Sequence, residues 1–283
     1  MVGVSIECRL GNQLFQYAFI KSLSKKLGTL FFINDKFEKF VAADYFILDG
    51  YNPLKNLVYR AYFKLKKAGL TKSLQSVGVN SSAELAKLAD NEIYSGYFQS
   101  AGYFENIAGN LPAYINLKQR YRAQFNAKYG DVFAGNKIIA IHVRRGDYLN
   151  LNDWWLQNLG SNNLTLPVNY YLDSLAQIKN SHTYKIIFVS DDIEFVKTNF
   201  GQVKNADFIS DEMIVDFQVL MNADICITSN SSFSWWAAYL NQKKNKLIIC
   251  PQYWLGFKIA KEYPERIIPA NWIQVNPNIP QSH

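Results

Sequence analysis

Two adjacent arginines, Arg144 and Arg145, stand at the end of the apolar run KIIAIHV. A buried strand that opens onto two guanidinium groups suits one chemistry above others. Each planar fork can hold two oxygens of a phosphate, and the pair matches a diphosphate such as that of a sugar nucleotide. The competing reading is a surface salt bridge with Asp147. Asp191 and Asp192 follow the run YKIIFVS, and Asp191 is placed to accept from ribose hydroxyls or a base. Asn230, Ser231, Ser232 and Phe233 follow DICITS and open a helix. Ser231 and Ser232 can offer hydroxyls and free N-terminal amides to an anion, or can simply cap the helix. His142 either reaches the same ligand or is a hydrogen-bonded core residue. Arg145-Gly146-Asp147 also spells the RGD tripeptide, which at a strand end of this kind is a coincidence. No D-x-D occurs in the chain. That pattern commonly marks a divalent ion holding a sugar-nucleotide diphosphate, so arginines are expected to do the neutralising, with no metal and no other cofactor.

These loops share one edge if the second half is a parallel sheet, and its pattern says that it is. KIIAIHV, YKIIFVS, ADFIS, DICITS and KLIIC are continuously apolar and β-branched, as strands covered on both faces are. Between them lie the helical stretches VNYYLDSLAQIK, DIEFVKTNF, DEMIVDFQVLMN and SFSWWAAYLNQ. In such sheets the ligand sits beyond the carboxyl ends of the strands. The first 35 residues read β-α-β, with a helix over 12–27, apolar on one face, that Gly28 stops. NEIYSGYF returns as a strand, a helix covers 117–128, and YGDVFAGN punctuates the chain where a domain boundary is expected.

The 283 residues suffice for two domains, and 49% of them are hydrophobic. The net charge of +7 suits nucleic acid, an anionic membrane or a phosphorylated substrate, but no nucleic-acid motif is present. Cys8, Cys226 and Cys250 are odd in number and outside any CxxC, so they are expected to be reduced and buried. With His142, His182 and His283 they make no metal-ligand spacing. No apolar leader opens the chain and no run approaches a membrane span, so the expected location is the cytoplasm or the inner face of a membrane.

RLGNQLFQYAF, GYFQSAGYF, HVRRGDY, LPVNYYLDSL, FVSDDIEFVK and SNSSFSWWAAYLN occur in that order over nearly the whole chain. In these segments the chain resembles the bacterial alpha-1,2-fucosyltransferases of glycosyltransferase family 11. The resemblance implies an α/β GT-B fold of two Rossmann-like domains facing a cleft, with residues 1–133 on the acceptor side and 134–283 binding GDP-fucose. It implies inverting transfer of L-fucose to a galactose hydroxyl of an oligosaccharide or lipid-linked glycan, in polysaccharide biosynthesis. Arg144 would then meet the charge that builds on the β-phosphate, with Arg145 supporting the loop or the diphosphate. Asp147 would orient the arginines or lie near the acceptor, or else hold Arg145 structurally. Asn12 would position the acceptor hydroxyl or the phosphate, and His142, Asp191, Asn230, Ser231, Ser232 and Phe233 would line the donor. The family usually reads G-G-L-G-N-Q where this chain has CRLGNQ, so Arg9 replaces a glycine. A similar R-x-G-N-Q occurs in protein O-fucosyltransferases, and Arg9 is expected to bear on acceptor choice. The alternatives are another linkage (alpha-1,6 or protein O-fucosyl) and a sugar-nucleotide-binding protein without turnover.

One segment falls outside this reading. From Lys55 to Lys72 the chain carries Lys55, Arg60, Lys64, Lys66, Lys67 and Lys72 with no acidic residue between them. Apolar residues recur at helical spacing over the same stretch. Either the apolar face packs on the first domain, or the segment is a peripheral contact for anionic lipid.

Overall fold

The computed structural model describes residues 1–35, 38–65, 76–78 and 88–277. It divides into two compact units, Met1–Lys118 and Gln119–His283.

The first unit runs β1 (Val2–Ser5), α1 (Leu10–Leu27), β2 (Phe31–Asn34), α2 (Ala42–Tyr45), β3 (Phe46–Leu48), α3 (Pro53–Leu65), β4 (Ser76–Gly78), β5 (Ile93–Ser95), α4 (Leu111–Tyr114) and β6 (Ile115–Leu117). Its main sheet is parallel, in the order β2-β1-β5-β4, and β3 pairs antiparallel with β6. Gly28 ends α1 as expected, with φ 62° and its amide turned back to the last turn. The expected one-sided burial of α1 is not what forms. Nearly every residue from Leu10 to Leu23 is buried, because its polar residues are satisfied by loops. Gln13 donates to the carbonyls of Cys8 and Lys39 and accepts from the Ala42 amide. Gln16 accepts from the Glu7 amide and donates to the Gly96 carbonyl. Cys8 corrects another expectation: it is exposed, while Cys226 and Cys250 are buried.

The second unit runs α5 (Gln119–Gly135), β7 (Ile138–Val143), α6 (Asp153–Leu159), α7 (Val168–Ala176), β8 (Lys185–Ser190), α8 (Ile193–Phe200), β9 (Ala206–Ile209), α9 (Met213–Met221), β10 (Ile225–Ile227), α10 (Ser232–Leu240), β11 (Leu247–Pro251) and β12 (Ile273–Val275). Six strands form one sheet in the order β12-β11-β10-β7-β8-β9, every neighbouring pair parallel. The chain starts at β7, winds outward to β9, and returns to the other side of β7 with β10. That is the Rossmann order, and its switch point lies between β7 and β10. The unit begins earlier than the boundary expected at 133/134. YGDVFAGN does not break the chain there, since α5 continues through it to Gly135. Lys128 pairs with Asp211, the Tyr129 hydroxyl lies 2.5 Å from the Asp211 carboxylate, and Gln218 of α9 donates to the Tyr121 carbonyl. These contacts tie the helix to the second unit.

Candidate active site

The loops after β7, β8 and β10 meet at the switch point of the second unit. Arg144 leaves the end of β7 and is braced by two carboxylates. Its Nη1 lies 2.6 Å from Asp191 Oδ2, and its Nη2 bonds Asp147 Oδ1. Asp191 Oδ1 also accepts from the Arg145 amide at 2.9 Å. Asp191, expected on the donor, thus holds the Arg144–Arg145 segment itself. This packing fixes the next residue as well. Gly146 has φ 24°, and a Cβ there would collide with Asp191 Oδ2, so the closed loop favours glycine.

The two arginines are not equivalent. The Arg145 guanidinium lies 3.5 Å from the Phe195 ring centroid, and its Nε faces Asp192 at 3.4 Å. It is stacked on α8 and fastens the loop. Asp147 pairs with Arg144. Asp192, named from the sequence without a role, acquires one here. It caps α8, accepting from the Phe195 amide, and faces Arg145.

Across the switch point, His142 Nδ1 lies 2.7 Å from Ser229 Oγ, and its ring stands 5.5 Å from that of Phe233. Burial, with the nearby Arg144 charge, pushes the His142 pKa down to about 3. The imidazole is therefore neutral, and a pKa this low makes it a weak proton acceptor. Asn230 is buried and donates to the Leu164 carbonyl, and its own carbonyl accepts from the Tyr148 hydroxyl. Its side-chain oxygen is buried without a hydrogen-bond partner. The Arg144 guanidinium lies 5.5 Å from the Tyr148 ring centroid, so Tyr148 links the β7 loop to the β10 loop. Ser231 caps α10, accepting from the Phe233 amide at 3.4 Å. Ser232 begins that helix and is partly exposed. The α10 start follows β10, which pairs with the β7 strand that ends at Arg144, and the free amides of a helix start can bind an anion.

Two further residues stand out, Ser229 within this neighbourhood and Asp216 on the adjoining α9. Ser229 is the His142 partner. Asp216 is a buried acid in the mostly apolar run MIVDFQVLM, one residue before Phe217, whose ring lies 5.4 Å from Phe233. Its oxygens accept from the Asp211 amide, and burial, with the Asp211 charge, pushes its pKa up to about 7. The signal was a carboxylate that an apolar helix would not otherwise keep.

Asn12 lies in the first unit, in the first turn of α1, partly exposed, and accepts from Gln99 Nε2 at 2.7 Å. Arg9 precedes the same helix and is exposed.

Among proteins of known description, this chain is 25% identical over 293 residues to an alpha-1,2-colitosyltransferase of Escherichia coli, covering 94% of this chain and 96% of that one. It is 26% identical over 141 residues to the O-antigen biosynthesis glycosyltransferase WbnK of Escherichia coli, covering 48% and 44%. Among solved structures it is similar in fold to the fucosyltransferase NodZ from Bradyrhizobium, with a TM-score of 0.51 at 13% identity over 84% of this chain and 91% of that one. The model of glycosyl transferase family 11 matches residues 1–276. With that match spanning nearly the whole sequence, the chain belongs to glycosyl transferase family 11.

Proposed function

We propose that the protein transfers L-fucose from GDP-fucose to a galactose hydroxyl of an oligosaccharide, forming an alpha-1,2 linkage with inversion. The observation that carries this is Arg144, held between Asp147 and Asp191 at the end of β7, the strand paired with β10. On this reading the second unit is the donor side and the first the acceptor side of a GT-B enzyme. The acceptor oxygen attacks the anomeric carbon as the bond to the GDP oxygen breaks. Negative charge builds on the β-phosphate, where Arg144 and the α10 amides meet it. Such preorganised donors cost no reorganisation as the charge develops. Arg145 keeps the loop in register through Phe195 and Asp192, and Asp191 positions Arg144. Asn230, Ser231, Ser232, Phe233 and the neutral His142 complete the donor pocket, and Asn12 orients the acceptor. No metal is required, since the arginine supplies the charge.

A second reading concerns the donor. The similarity to a colitosyltransferase spans nearly the full length, and colitose differs from fucose by one missing ring hydroxyl. The decisive experiment offers GDP-fucose and GDP-colitose separately, with a panel of galactose-terminated glycans, and determines the product linkage. An alpha-1,2-fucosyl product supports the proposal. Turnover of GDP-colitose alone replaces the donor. An alpha-1,6 linkage or transfer to a polypeptide replaces the acceptor. Donor binding with no GDP release on any acceptor leaves a sugar-nucleotide-binding protein.

A further inference from the structure

The helix α3 is turned the wrong way round for a soluble domain. Its apolar residues face outward: Leu54 is 76% exposed, Leu57 and Val58 are each 63% exposed, and Tyr62 and Leu65 are also exposed. The side that faces the sheet carries Asn56, Tyr59 and Arg60. Asn56 is buried, accepts from the Ile33 amide at 2.7 Å and donates to the Ile33 carbonyl at 3.0 Å. β2 is an edge strand, and this side-chain amide satisfies the groups a neighbouring strand would have taken. Arg60 pairs with Asp35, and Tyr59 packs on Phe32. Of the two readings of this segment, packing of the apolar face on the first unit is not what Pro53–Leu65 shows. Lys66, Lys67 and Lys72 lie outside the described residues.

We propose that α3 is a membrane-surface helix, whose outward apolar stripe between Lys55 and Lys64 seats the protein on an anionic lipid surface. At about 100° per residue, Leu54, Leu57, Val58, Ala61, Tyr62 and Leu65 fill an arc of about 140°. Lys55 and Lys64, both exposed, fall about 20° beyond its two edges. That is the arrangement in which ammonium groups reach headgroups while the stripe enters the acyl boundary. No helix among the described residues is long and apolar enough to cross a membrane, so this one lies on the surface. A second copy of the chain fits the stripe poorly. No Asp or Glu occurs between Asp49 and Glu84, so a twofold pairing would set lysines against lysines with no acid to offset them. An anionic bilayer meets both demands at once, apolar depth and negative charge. The inference does not depend on the donor or linkage proposed above.

The test is co-sedimentation of the full chain with phosphatidylcholine vesicles and with mixed phosphatidylcholine–phosphatidylglycerol vesicles, at low and physiological salt. Light scattering gives its mass in solution in parallel. Recovery on the anionic vesicles should be higher by roughly tenfold at low salt and should fall as salt rises. The double variant Leu57→Glu/Val58→Glu should lose this recovery with an unchanged melting temperature, since both positions are exposed. The double variant Lys55→Gln/Lys64→Gln should lose the preference for anionic over neutral vesicles. Equal recovery on both vesicle types, undiminished binding by the glutamate variant, or a solution dimer that the glutamate variant dissociates would each overturn the proposal.

Discussion

His142 Nδ1 and Ser229 Oγ stand 2.7 Å apart, a buried bond that joins the end of β7 to the segment leaving β10. The pair sets a pH dependence of its own. Folded His142 refuses a proton until about pH 3, whereas the unfolded chain takes one up below about 6.5. Its contribution to stability is therefore complete above about pH 6.5 and is lost progressively as pH falls toward 3. Thermal melts of wild type and His142→Gln between about pH 7 and pH 4.5 should show the wild type losing melting temperature more steeply. Parallel slopes would mean that His142 is protonated in the folded state.

Asp216 acts with the opposite sign. Its folded pKa is raised to about 7, against an ordinary carboxyl near 3.9. Between those values the folded state holds a proton that the unfolded state has released, so this group erodes stability as pH rises through the window. Asp216→Asn keeps an oxygen for the Asp211 amide and carries no charge. It should raise the melting temperature at about pH 8 and change it little at about pH 4. An equal effect at both values would contradict the raised pKa.

Gly146→Ala should damage the loop directly. The new Cβ would meet Asp191 Oδ2, in a backbone conformation that L-residues rarely adopt. Strain of this kind costs about 1–3 kcal/mol, and relief requires Asp191 to leave Arg144. The expected result is a lower melting temperature together with weaker GDP binding by calorimetry. Unchanged affinity would show that the Asp191 brace does not matter to the site.

The second unit was legible because its strands are continuous apolar runs, and the residues after each run could be assigned to one sheet edge. β7, β8, β9, β10 and β11 all form where the pattern put them. β12 escaped because Ile273–Val275 is short, with two of its three residues exposed, so no apolar run announces it. α5 was cut short because Gly130 and Gly135 mimic a break, while the contacts that keep it helical come from Asp211 and α9, distant in sequence. Arg144 could be named from its position, but its division of labour with Arg145 could not. That depends on which carboxylate each one reaches and on Phe195 lying beneath one of them. Asn56 was invisible for a similar reason. Its value lies in matching an edge strand, and without it the outward stripe of α3 reads as an inward one.

Metal independence is expected from the same corner of the fold. If Arg144 and the α10 amides neutralise the diphosphate, exhaustive chelation with EDTA should leave glycosyl transfer essentially unchanged. Loss of activity restored by magnesium or manganese would show that an ion carries the charge instead.

The sharpest division lies between the two arginines. Arg144→Lys keeps a positive charge between Asp147 and Asp191 but loses the planar fork that can reach a phosphate and its braces together. Turnover should fall by about 10²–10³, while the melting temperature stays close to wild type, because partly exposed ion pairs contribute little. Arg145→Lys loses the stack on Phe195 and should show the reverse, with a lowered melting temperature and turnover reduced by less than about tenfold. Steady-state kinetics and melting curves on the two variants, expressed side by side, separate the roles. Equal losses of turnover would mean that both guanidinium groups meet the leaving diphosphate, and Arg145 would then have to leave Phe195 when the donor binds.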